Sequence, residues 1–301
     1  MDYNKIMPFL LMPLLLFAVE AGAILLSFPV QASGITAFED PNAVVNSLIF
    51  MAILLVFTGF LLLLIKYDLK KVVSYVIAIS IFLTFGYIFS SLVNFIMGTT
   101  AIATLVTLSA ALIATIVLYT YPEWYVIDLM GILIAAGVAS IFGVSLNVIP
   151  VVALLAILAV YDAISVYKTK HMLTLAEGVI DLKTPILFVI PKRRGYSFIR
   201  EGIEKIEEGT ERSAFIMGMG DLIMPTVLVV SANVFLQGWR LFGVVNIPAL
   251  GAIIGSFAGL AVLLHFVASG RPQAGLPPLN GGAIIGFLLG SLVASLVAGV
   301  L

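Results

Sequence analysis

The sequence predicts an all-α membrane protein, a polytopic bundle of about nine transmembrane helices with a long cytoplasmic loop between helices 6 and 7. Three observations carry this expectation. Hydrophobic residues make up 62% of the chain and charged ones 10%, with a mean hydropathy of +1.20, against roughly 45–50% apolar and about 25% charged in soluble domains. The apolar residues fall in runs of about 20, the length that crosses the hydrocarbon core of a bilayer. Lys and Arg gather in alternate connections, as they do when one side of the membrane is cytoplasmic.

Spans are expected at 7–30, 44–65, 72–94, 100–120, 126–145, 149–167, 213–236, 243–268 and 281–301. The connections carry the punctuation such turns need: Glu39, Asp40 and Pro41 after the first, Tyr67 to Lys70 after the second, Tyr121, Pro122 and Glu123 after the fourth. Only Ser145 to Pro150 separate the fifth and sixth. The chain thus divides into residues 1–167 with helices 1–6, a polar loop at 168–212, and residues 213–301 with helices 7–9. The first run is too long for the core of a secretory signal and carries Glu20, although Val30, Gln31 and Ala32 before Ser33 imitate a cleavage site. Glu20 is expected to face the bundle as a satisfied polar group.

One set of loops holds Lys5, then Lys66, Lys70 and Lys71, then the stretch from Lys168 to Arg212, then Arg271; the opposite set holds only Arg240. This places the N-terminus in the cytoplasm and the C-terminus outside a multi-pass protein embedded in a lipid bilayer. Within the polar loop, Ile199, Ile203 and Ile206 recur at helical spacing, which predicts a short amphipathic helix against the headgroups. Ala176 to Ile190, apolar around Thr184 and Pro185, is compatible with a strand.

Composition excludes several chemistries. The chain has no cysteine and two histidines, His171 and His265, so thiolate and multi-histidine metal sites have no material. No metal or cofactor is expected, and a net charge of −1 gives no reason to expect a nucleic-acid partner.

What remains is carboxylate chemistry. Asp162 lies about five residues from the end of the sixth span and Asp221 about eight residues into the seventh, which enters from the same side. At 1.5 Å per residue the two lie roughly 8 and 12 Å inside. A carboxylate near mid-bilayer costs roughly 2.5–3.5 kcal/mol even on lenient scales, so two at similar depth suggest one site. Two carboxyls within hydrogen-bonding distance do not both ionise readily, and one shared proton is the stable state. The anionic partner then takes a proton from water while the neutral one protonates a peptide carbonyl. Gly218 and Gly220, flanking Met219, leave room before Asp221 for a helix or an extended backbone. On the residues alone, an ion- or proton-coupled secondary transporter stays open beside a protease, because carriers use the same intramembrane carboxylates and interrupted helices.

Val160, Tyr161 and Asp162, followed by Gly218, Met219, Gly220 and Asp221, resemble the YD and GxGD signatures of the presenilin and signal peptide peptidase family of intramembrane aspartyl proteases. Span number, motif order and the long loop between the two motifs extend the resemblance over most of the chain, closest to an archaeal presenilin homologue. The resemblance implies that Asp162 and Asp221 are the catalytic pair, that Tyr161, Gly218, Met219 and Gly220 shape the site, and that the substrates are transmembrane proteins. A prepilin-type peptidase, the other GxGD membrane protease, is less similar, since Ile223 stands where that family usually has a basic residue and the long loop and late helices are foreign to it.

The family's third motif, PAL, precedes its last helix. Pro248, Ala249 and Leu250 match its letters but open the eighth span, with a whole helix still to come. By position the role falls to Leu276, Pro277, Pro278 and Leu279, with proline for alanine in the middle. Prolines there are expected to keep the stretch out of helix and free its carbonyls to receive an unwound substrate as an added strand. Oligomeric state and accessory subunits leave no mark in these motifs.

Overall fold

The computed structural model describes residues 3–169, 187–192, 195–202, 214–267 and 273–299. The expectations at His171, Arg193, Arg194, Ile203, Ile206 and Arg271, and most of the 168–212 loop, lie outside the described residues. The elements are α1 (Tyr3–Ser33), α2 (Val45–Lys66), α3 (Lys70–Met97), α4 (Ala101–Thr120), α5 (Trp124–Ser145), α6 (Val148–Tyr167), β1 (Leu187–Pro191), α7 (Phe198–Glu201), β2 (Ala214–Gly218), α8 (Met219–Phe235), β3 (Arg240–Leu241), β4 (Val245–Asn246), α9 (Ile247–Val267) and α10 (Leu276–Val297). Eight of these helices are long and apolar enough to cross a membrane, and the shorter apolar α8 completes the nine spans read from the sequence.

Helix is the form that satisfies every backbone donor and acceptor of a single segment in hydrocarbon, and the helix ends are marked by local chemistry. The Thr100 hydroxyl accepts from Ala103 N–H at 3.1 Å to open α4, and the Asn147 side chain caps α6 at Val148 N–H. Gly34 (φ +68°) and Gly98 (φ +71°) end α1 and α3 in the left-handed region that favours glycine.

At the centre stands α8, which packs on α1, α5, α6, α9 and α10. Twelve of its seventeen residues are buried, as a helix apolar on all sides must be. The outer helices α2 to α4 turn Ile53, Val56, Ile79, Leu105 and Ile113 outward, the surface expected toward lipid. A second core cluster of Val73, Ile77, Phe85, Ala111 and Leu118 joins them to Ile127 of α5 and to Val189, Tyr196 and Phe198 of the polar segment.

Four readings meet the structure differently. The seventh span does not begin as helix: Ala214–Gly218 is a strand, antiparallel to β1 with Leu187 opposite Gly218 and Pro191 opposite Ala214, and this pairing supplies the ladder bonds a helix would otherwise make. The strand anticipated within Ala176–Ile190 occurs at its C-terminal end, at Leu187–Pro191, while 176–186 lies outside the described residues. Of the helix expected through Ile199, Ile203 and Ile206, the described residues hold a single turn, Phe198–Glu201, followed by Gly202 with φ of +64°. The last helix begins at Leu276, so Pro277 and Pro278 occupy its first turn. Proline is favoured there, because the first-turn N–H groups have no partner inside the helix.

The closest helix pair is α9 with α10. Gly251 and Gly255 lie against the backbone of Gly286 and Gly282, and Gly259 against the carbonyl of Pro278. Four-residue spacing of glycines on both helices lets the backbones touch, the way membrane helices associate without a hydrophobic driving force. A Cβ at Gly255 would collide with backbone, whereas one at Gly59 of α2 meets nothing within 4 Å. Gly255→Val is therefore expected to destabilise the detergent-solubilised protein by about 1–3 kcal/mol or more and lower its thermal midpoint, with Gly59→Val unchanged, as read by a thermal unfolding assay.

Candidate active site

Three elements meet at the two aspartates, and each has a local reason to be there. Asp162 sits near the end of α6, 6% exposed, and Ser165 Oγ donates to its main-chain oxygen at 2.9 Å. Asp221 is the third residue of α8, immediately after the β2 strand. Its carboxylate folds back over Gly218, where an added Cβ would stand 3.5 Å from Oδ2. The entry by strand also carries Asp221 deeper than a helical entry would, because a strand advances about 3.3 Å per residue against 1.5 Å for helix.

The third element is the start of α10. Leu276 N–H donates to Asp162 Oδ2 at 3.1 Å. One residue earlier, Gly275 lies so close to Asp221 that an added Cβ would be 2.6 Å from Oδ2 and 3.0 Å from Oδ1. A single dipeptide thus touches both carboxylates, and the two acids are near enough to interact electrostatically. The dipeptide is held in turn from α6. The Tyr167 hydroxyl donates to Gln273 Oε1 at 2.8 Å and accepts from Ala274 N–H at 3.2 Å. Asn280 Nδ2 donates to the Leu155 carbonyl at 3.0 Å.

Not every residue singled out in the sequence faces this junction. Gly220 is exposed, with nothing within 4 Å of where its Cβ would be. Leu276, Pro277 and Pro278 are half-buried, Leu276 through its N–H on Asp162 and Pro278 with its carbonyl against Gly259. Leu279 is fully buried, and Met219 points into the core, its Cε against Gly131 of α5. The Tyr161 side chain hydrogen-bonds Thr58, which ties α6 to α2. Pro248 opens α9, as its letters allow, and packs against Gly290, fourteen residues along α10 from Leu276 or about 21 Å at the helical rise. The literal PAL is therefore remote from the acids.

Sequence reasoning missed Gly275, Tyr167 and Asp128. Gly275 was visible as a glycine directly before the L-P-P-L stretch, but the sequence says nothing of the acid it meets. Asp128 is a further deep carboxyl, 7% exposed on α5, whose Oδ1 accepts Val189 N–H at 2.8 Å and so pins the outer edge of β1. Glu20 faces the bundle as expected, 1% exposed with Ser256 of α9 as its polar neighbour. Neither of its oxygens reaches a hydrogen bond of good geometry among the described residues, so the satisfied group anticipated from the sequence is not what the structure contains.

Residues 13–296 match the family model described as signal-peptide peptidase, presenilin aspartyl protease. Two solved structures are similar over nearly their whole length. One, a presenilin family intramembrane aspartate protease in a C222 crystal form, is 46% identical with a TM-score of 0.68, covering 96% of this chain and 99% of its own. The other, a presenilin family intramembrane aspartate protease in a P2 form, is 48% identical with a TM-score of 0.69, covering 95% and 98%. No curated protein matches. A polytopic helical bundle that brings a YD helix and a GxGD helix together, matched by the family model over nearly all its length, belongs to the signal-peptide peptidase and presenilin family, and the chain is an intramembrane aspartyl protease of the presenilin type.

Proposed function

We propose that Asp162 and Asp221 form the catalytic dyad and hydrolyse peptide bonds within the transmembrane helices of membrane-protein substrates. The observation that carries this reading is the Gly275–Leu276 dipeptide, in contact with both carboxylates at once. With one proton shared between them, the anionic acid removes a proton from water as its oxygen bonds to the scissile carbonyl carbon, and the neutral acid protonates the carbonyl oxygen. Collapse of the tetrahedral species breaks the C–N bond. The amine leaves with the proton taken from water, and the pair returns to its single-proton state.

A substrate helix must unwind before its peptide bonds can be attacked, and its freed backbone groups then need partners. The β2 strand leads straight to Asp221, and among the described residues its second edge pairs with no strand. Because Asp128 occupies the outer edge of β1, β2 offers the open edge for an added substrate strand. Gly218 and the open Gly220 admit that backbone, with Leu276, Pro277 and Pro278 lining its path. Tyr161, Met219 and Leu279 support the site from behind.

The alternation of Lys and Arg orients the enzyme with its N-terminus and the 168–212 loop in the cytoplasm and its C-terminus outside. The site then lies nearer the cytoplasmic face, so substrates with an external N-terminus are cut in their cytoplasmic half.

Three outcomes test these assignments. Asp162→Ala and Asp221→Ala each abolish cleavage of a helical peptide by the purified enzyme, the double variant adds almost nothing, and wild-type activity passes through a maximum with pH; substantial turnover in a folded single variant rejects the dyad. Gly275→Val, which pushes a side chain into Asp221, lowers kcat at least tenfold with the thermal midpoint kept, while Gly220→Ala has a smaller effect. Cysteines placed at Ser33, Ser197 and after Leu301 in this cysteine-free chain report sidedness: an impermeant thiol reagent on intact cells labels the first and third, and labelling of Ser197→Cys instead inverts the orientation.

A further inference from the structure

The connection between α8 and α9 has a rigid root and an unpacked aromatic tip. At the root, Arg240 Nη2 donates to the Asn233 carbonyl at 2.9 Å, and Nη1 to Asn233 Oδ1 and the Val244 carbonyl, each at 3.1 Å. Asn246, fully buried, donates through Nδ2 to the Ala232 and Leu236 carbonyls at 2.7 and 2.8 Å, and its Oδ1 accepts Ala249 N–H at 2.8 Å. Two of the last carbonyls of α8 and one of the first amides of α9, groups that helices leave without internal partners, are thereby served by one arginine and one asparagine. The tip is the opposite case. Trp239 is 59% exposed and Phe242 is 93% exposed. Phe242 and Gly243 turn the β3–β4 hairpin with φ of +51° and +72°, positions where asparagine and glycine are the usual residues. A bulky aromatic held in the left-handed region is an outlier, and here it has no core to bury itself in.

We propose that this hairpin is an interfacial anchor, with Trp239 and Phe242 seated in the headgroup and carbonyl layer of the bilayer at the end of α8 opposite the β1–β2 sheet. Three features favour lipid as the occupant. The hairpin joins two membrane-crossing helices, and Arg240 folds it back onto the last turn of α8, so its rings stay at the level where the hydrocarbon ends. Residues 236–246 read LQGWRLFGVVN, and their one charge, Arg240, is consumed at the root, so no charged side chain opposes insertion. Two rings of roughly 150–250 Å² each fall short of the roughly 800 Å² that each partner contributes to a stable protein interface, while tryptophan, as at Trp239, is enriched at the headgroup level of membranes. The anchor has a consequence for the site. Asp221 lies fourteen residues before Phe235, about 21 Å along the same helix, so fixing the hairpin fixes how deep that carboxylate rides. This holds whichever side of the membrane the hairpin faces.

Tryptophan fluorescence tests the proposal directly, because Trp124 and Trp239 are the two tryptophans of the chain. The full chain carrying Trp124→Phe is reconstituted in phosphatidylcholine vesicles with acyl chains brominated either near the carbonyl or near the terminal methyl. Trp239 should emit to the blue of aqueous tryptophan, and carbonyl-end bromine should quench it at least twofold more than methyl-end bromine. Adding Phe242→Asp should halve that quenching. Water-like emission quenched by iodide but not by brominated lipid overturns the proposal. Emission that ignores the lipid and shifts with protein-to-lipid ratio also overturns it, in favour of contact between copies. If Trp124→Phe fails to fold, the difference between wild type and Trp239→Phe yields the same signal.

Discussion

The hydrogen bond from Leu276 N–H to Asp162 is the contact on which the site depends, because it joins the sixth span to the last one at the place where the seventh delivers Asp221. Helices α6 and α8 already pack on one another, and this bond adds the start of the last helix as a third wall that touches both acids. Its geometry is set from both sides. Behind α10, the glycine contacts with α9 reach as far as Gly259 and Pro278, so the start of the last helix is clamped by backbone touching backbone. In front, Tyr167 ties Gln273 and Ala274 to α6, the helix that also carries Asp162.

This arrangement explains why a chain made almost wholly of helix keeps a small sheet beside its acids. A helix entering from the polar side at Ala214 would bring Asp221 less far into the protein and would use its own backbone groups internally. The strand instead has one edge, next to the carboxylate, that pairs with no other strand among the described residues. Its partner β1 is secured at the far edge by Asp128, and Glu123 accepts both the Ser197 hydroxyl at 2.6 Å and the Phe198 amide at 3.0 Å. Two carboxylates of the α5 entry thus hold the described parts of the polar segment against the bundle. At the other end of α8, Arg240 and Asn246 close the helix with equal economy, and the central helix is restrained at both extremities.

The carrier reading that the residues alone left open rested on buried carboxylates and glycine-interrupted helices. Family membership removes it. The structure also accounts for those features otherwise: the glycines at 251, 255, 282 and 286 close the α9–α10 seam, and the additional buried acids Glu20 and Asp128 lie on contacts of α5 and of the α1–α9 seam rather than along a shared path.

The sequence by itself determined the class and the nine spans and singled out two intramembrane acids, because each is written in a local property: a run of about 20 apolar residues must cross a bilayer, and a carboxylate inside such a run is expensive. The motif letters added the family. Tertiary structure alone decided what those acids meet. That Gly275 lies on Asp221, that Leu279 and Met219 are core, and that Pro248 is far from the site follow from packing between segments distant in the chain, and apolar letters do not say which neighbour they face. The start of α8 was misread for the same reason. Ala214 to Gly218 is apolar enough for helix, and only the presence of β1 alongside, with donors and acceptors to match, makes it a strand.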